Sequence, residues 1–191
     1  MGDAGVAFNR SPSAMHWNPS ILAFSDKQFA FGLSYTPWLR ALGIPDINLA
    51  YLPAYYNFGP RGGVIGGSIT YFSLGDINLT DNTGNATGTI NPAEFAISTA
   101  YARQVTDKFS AGVSIRYIHS NLTGATTVGG LPTKPGQSFA GDIHMFYSSD
   151  FIYQKRTDMT FSWGLNISNL GGKMNYTNTA ERDFLPANLR L

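Results

Sequence analysis

The feature that most constrains this chain is period-two alternation, kept up for ten residues or more at a time and repeated to the end of the sequence. Over 28–40 the odd positions are Phe29, Phe31, Leu33, Tyr35, Pro37 and Leu39, and the even ones include Gln28, Ala30, Gly32, Ser34 and Thr36. Strands of soluble proteins average about 5–6 residues, whereas a tilted membrane-crossing strand takes about 9–11. A second strand sets Ile47, Leu49, Tyr51, Pro53 and Tyr55 against Asn48, Ala50 and Ala54. A fourth sets Phe95, Ile97, Tyr101 and Val105 against Glu94, Ala96, Ser98, Ala100 and Gln104. Phe109, Val113, Ile115 and Tyr117 mark a fifth, Phe139, Ile143, Met145 and Tyr147 a sixth, and Phe161, Trp163, Leu165 and Ile167 a seventh. An eighth begins at Pro186. The third, over 63–74, is the weak case, with Ile65, Ile69 and Tyr71 on one face but Val64 and Phe72 on the other.

The connections sort by parity. Segments 58–62 and 106–107 are short and 150–158 is moderate; the alternating connections 75–92, 121–136 and 171–185 are long, and only 41–46 breaks the rule. Short turns on one side and long loops on the other are expected of an outer-membrane barrel. The expected fold is therefore all-β: part of a transmembrane antiparallel β-barrel, over 27–191. Seven strands and the start of an eighth do not close a barrel, and an open edge in lipid leaves backbone groups unsatisfied. On that ground the chain is expected to be a fragment, lacking a signal peptide in front and strands behind.

Composition agrees. Charged residues are 13% of the 191 residues and aromatics 14%, with 21 glycines; the mean hydropathy of −0.10 is nevertheless mildly polar. Strands that alternate apolar and polar faces reconcile the two. A net charge of +1 without a basic patch gives no case for nucleic acid. The absence of cysteine excludes disulfides and thiolate chemistry. No stretch of 18 apolar residues is present to make a transmembrane helix. Neither a metal nor another cofactor is expected.

Residues 1–26 do not alternate. The run Met15, His16, Trp17, Asn18 and Pro19 is compact and ends where a proline disfavours further helix. It is read as a hatch folded inside the strands, because Met15 and Trp17 need burial; the plainer reading is an extension along the rim. Gly62, Gly63, Gly66 and Gly67 precede a strand rather than a helix, which rules out a nucleotide loop. They mark either close packing against a plug or a kink in the third strand. Glu94, Arg116, Asp142 and His144 are placed on the lumen face. Asp142 with His144 and the many serines leaves a hydrolase conceivable, although plain lumen polarity explains the pair, and no catalytic residue is assigned. Tyr35, Trp38, Tyr51, Tyr55, Tyr117, Tyr147 and Trp163 read as lipid-facing or girdle aromatics.

The run 2–7, with Ser13 to Pro19, resembles the N-terminal hatch of FadL-type outer-membrane proteins, with Ser20 where that motif has alanine. The stretches 33–39, 45–51, 71–75, 91–97, 115–118 and 164–171 resemble, more closely, the PorV family. That resemblance implies a fourteen-stranded barrel in the outer membrane of a Gram-negative bacterium, about half of it present, and no enzyme. It implies a shuttle that takes secreted cargo by its C-terminal signal domain and passes it from the secretion translocon to a surface attachment complex with a sortase. The FadL likeness implies an alternative, a transporter of hydrophobic small molecules with a lateral opening at a kinked third strand.

Overall fold

The computed structural model describes residues 4–8, 10–43, 46–81, 83–124, 126–128, 131–153, 157–177 and 182–191. Three short helical pieces come first: 3₁₀ turns at Ala4–Ala7 and Pro19–Phe24, with one α turn, α1 (Ala14–Trp17), between them. The strands are β1 (Phe29–Phe31), β2 (Ser34–Pro37), β3 (Ile47–Asn57), β4 (Val64–Leu74), β5 (Ile77–Thr80), β6 (Ala86–Ile90), β7 (Ala93–Thr106) and β8 (Phe109–Asn121). They continue as β9 (Thr127–Val128), β10 (Leu131–Pro132), β11 (Gly136–Tyr153), β12 (Thr157–Gly171), β13 (Lys173–Met174), β14 (Asp183–Phe184) and β15 (Asn188–Arg190). Nine of them form one antiparallel sheet in the order β1-β3-β4-β7-β8-β11-β12-β15, with β2 also on β3. Each long strand pairs with the next long strand in sequence, as in an up-and-down barrel, and the sheet does not close on itself. This is a partial β-barrel.

The expected first strand is found in two pieces. The register of β1 and β2 on β3 is the same, Phe31 opposite Ala54 and Ser34 opposite Tyr51. Between them lies Pro53, which can accept from Gly32 N (2.8 Å) but has no N–H to return. One missing donor interrupts the ladder there. The three long connections are not plain loops, since each carries a small hairpin: β5–β6, β9–β10 and β13–β14.

The turn of the β5–β6 hairpin is organised by one carboxylate. Asp81 accepts from the Thr83 hydroxyl (2.7 Å), from the backbone N–H groups of Asn85 (2.9 Å) and Thr83 (2.8 Å), and from the Asn85 amide. These donors, the Thr83 hydroxyl foremost, hold its carboxyl at about 2. A depressed carboxyl stabilises the turn at any pH above its ordinary value near 4 and loses that effect as pH falls through 2. The Thr83 and Asn85 amide resonances are therefore expected to hold their positions down to pH 3 and to move only near pH 2. A midpoint near 4 would show that the carboxylate is not held this way.

Facing follows from the cross-strand pairs. Ile65, Ile69, Ile97, Tyr101, Val113, Ile115, Phe139 and Phe161 are exposed on the outer face. Ser68, Ser98, Ser114, Ser138, Asp142 and His144 are buried on the inner one. Two aromatics depart from the expected outward placing. Tyr51 pairs with Thr70 and Tyr55 with Gly66, on the same face as Ser68. Tyr55 is 2% exposed and shares a 2.7 Å hydrogen bond with Ser25. The inner face is itself apolar where it meets the N-terminal segment, so polarity did not mark which face of β3 points in. The same holds for β4, whose Val64 packs inward with Ala100 and Ala102.

Candidate functional site

Residues 4–7 and 14–24 lie on the inner face of the sheet. Ile21 and Leu22 are fully buried there, each contributing about 1.5–3 kcal/mol of hydrophobic stabilisation. Three side-chain-to-backbone hydrogen bonds join this segment to the wall. Asn166 Nδ2 donates to the Trp17 carbonyl (2.6 Å), Ser110 Oγ to the Ser20 carbonyl (2.8 Å), and Asn18 Nδ2 to the Met145 carbonyl (2.8 Å). Asn18 also donates to the Val6 carbonyl (2.9 Å), and its Oδ1 accepts from Ser20 N (3.1 Å), which starts the second 3₁₀ turn. Asn18 therefore joins both halves of the segment to β11. Pro19 follows at the first helical position, where its missing N–H costs nothing.

Glycines make the close approach possible. A Cβ at Gly66 would collide with the Met15 sulfur, and one at Gly164 with the Val6 carbonyl oxygen. Of the five residues 15–19, Met15, Asn18 and Pro19 are buried, Trp17 is half-buried over Gly5, and His16 is exposed toward the lumen with its ring edge-on to Tyr51 at 6.0 Å.

The four glycines do not act together. β4 pairs with β3 and with β7 residue for residue, with no shift in register. Gly66 is a seat for Met15, not a bend, and Gly67 faces outward beside ordinary contacts. Gly62 and Gly63 belong to the turn, where Gly63 adopts φ +75°. A kink with a lateral opening at this strand does not fit that pairing.

Arg116, Asp142 and His144 come together, while Glu94 stands apart. Arg116 Nη2 lies 2.9 Å from Asp142 Oδ2, its Nε donates to Ser98 Oγ (3.1 Å), and its Nη1 donates to Asn169 Oδ1 (2.7 Å). Asp142 also accepts from Ser114 Oγ (2.9 Å) and Asn169 N (2.7 Å). Asn169 was not legible as a site residue. A bulge puts Ser168 and Asn169 opposite Asp142, and Asn169 takes φ +61°, a conformation asparagine tolerates better than most residues. Glu94 accepts instead from Ser120, which receives a hydrogen bond from Tyr176 (2.9 Å).

Ser114 Oγ is 3.0 Å from His144 Nε2, so a serine does stand beside the histidine. Ser114 Oγ also donates to Asp142, whose carboxylate is paired with Arg116 and not with the imidazole. No described hydrogen bond joins Asp142 to His144, as a triad requires.

An open, up-and-down β-wall with an apolar outer face, and the chain's own N-terminal segment bonded to its inner face, defines a partial barrel of the outer-membrane type. The family model described as type IX secretion system protein PorV matches residues 1–191, the whole chain. The chain belongs to the PorV family, and hence to a family of type IX secretion components. A search of curated proteins returned no match.

Proposed function

We propose that the protein sits in the bacterial outer membrane and binds secreted cargo by its C-terminal signal domain. It carries that cargo from the secretion translocon to the surface complex that attaches it. Residues 1–26 act as a hatch, and 27–191 are barrel wall. The observation that carries this reading, beside the family, is the character of the inner face. Beyond the apolar patch under the N-terminal segment it is lined by Ser68, Ser98, Ser114, Asp142, His144, Asn166 and Ser168, polar neighbours that suit a polypeptide better than a hydrophobic small molecule. Recognition then falls to the long-loop side, where the β5–β6, β9–β10 and β13–β14 hairpins present short strand edges suited to contacts with another β-rich domain.

The test is capture from detergent-solubilised membranes of a strain carrying the tagged full protein. Secreted proteins bearing the C-terminal signal domain should co-purify, and deletion should leave them in the periplasm. Normal secretion after deletion, with no cargo captured, would sink the reading.

A further inference from the structure

On the long-loop side of the N-terminal segment lies a cavity of about 360 Å³, whose wall includes Met15, His16, Tyr51, Ser98, Arg116 and Arg190. Among the described residues no aspartate or glutamate lines it. Of its two arginines, Arg116 is neutralised by Asp142 (2.9 Å). Arg190 is not: among the described residues no carboxylate lies within ion-pair distance of it. Its guanidinium instead lies over the Trp17 ring, 5.3 Å from the centroid. Among the described residues the guanidinium N–H groups make no hydrogen bond, which leaves them for a ligand. The Tyr51 hydroxyl is also buried at this wall, beside Ser68.

We propose that this cavity binds the terminal carboxylate of a chain-like ligand. Arg190 takes the carboxylate through its paired N–H groups, and the Tyr51 hydroxyl supplies a further donor. A guanidinium edge matches the two oxygens of a carboxylate, which is the commonest use of a free arginine fork. The volume decides how much of the ligand enters. Ligand pockets run from about 300 to 1,000 Å³, so this one admits the end of a chain and not a folded domain. The walls decide its character, because Ser68, Thr70, Ser98 and Asn188 are polar neighbours for a peptide terminus and poor ones for an acyl chain. The inference rests on the cavity alone and does not need the cargo reading.

The experiment titrates the full chain, in a maltoside detergent, with N-acetyl-Gly-Ser-Gly-Ser as the free acid and as its C-terminal amide, followed by calorimetry. Decanoate and decanol form a second pair. The peptide acid should bind at least tenfold more tightly than its amide, and Arg190→Gln should erase the difference while the far-ultraviolet spectrum is unchanged. A preference for decanoate over decanol that also vanishes in Arg190→Gln, without peptide binding, would support the carboxylate site and assign it to an amphiphile. Equal binding of acid and amide with no decanoate preference, no binding of either acid, or a preference that survives Arg190→Gln, would overturn it.

Discussion

Replacing Gly164 by valine is expected to release the N-terminal segment while leaving the wall folded. The two halves of that statement have separate causes. Valine is a better strand residue than glycine, so β12 itself gains from the change. The cost falls on what Gly164 faces, because the new Cβ would overlap the Val6 carbonyl oxygen and crowd the Asn18 amide. Backbone cannot step aside as the end of a side chain can. Overpacking of this kind costs about 1–3 kcal/mol, which corresponds to roughly a 5- to 150-fold rise in the population with the segment detached. Limited proteolysis reads this directly, as faster cleavage among residues 8–24 with no change in the unfolding midpoint of the wall. Gly67→Val is the control: its Cβ would meet only the Ser98 carbonyl, at 3.7 Å, and cleavage should stay at the wild-type rate. If both variants behaved alike, the seating of the segment against β12 would be wrong.

That contrast between two glycines also shows where reading the sequence stops. Alternation placed Phe29, Ile97, Ile115 and Phe161 on one face each, and those faces are the exposed ones. It could not tell in from out where both faces are apolar, which is why Tyr51 and Tyr55 were expected outside and lie inside. The run Gly62 to Gly67 carried a real signal, small residues where something comes close, but a missing side chain does not say whether the neighbour is a bend, a turn or Met15. Asn169 enters the polar cluster through a one-residue bulge, and a slip of one residue turns a side chain to the opposite face. A periodic pattern cannot announce its own exception. Arg116, Asp142 and His144 were placed on one face by parity; that Ser114 would stand between Asp142 and His144 depended on the register of β8 against β11, which no single strand contains.

Breaking the Arg116–Asp142 pair should be expensive, and more so from one side than the other. The Asp142 side chain is 1% exposed and that of Arg116 25%. Arg116→Met strands a carboxylate in the interior with only Ser114 and Asn169 N as donors, and loss of one partner of a buried pair costs about 3–5 kcal/mol. Asp142→Leu leaves a guanidinium that still reaches the cavity, Ser98 and Asn169. Its cost should be smaller, on the order of 1–3 kcal/mol, mainly from the unpaired Asn169 N–H and the freed Ser114 hydroxyl. Combining the two should recover part of the loss, because no uncompensated charge then remains in the wall. Urea unfolding of the four proteins in one detergent gives the cycle, with the order wild type, Asp142→Leu, double variant or its near equal, and Arg116→Met last. Strictly additive losses would mean that the two residues do not sense each other. A reversed order of the single variants would mean that the arginine, and not the aspartate, is the group shut away from water.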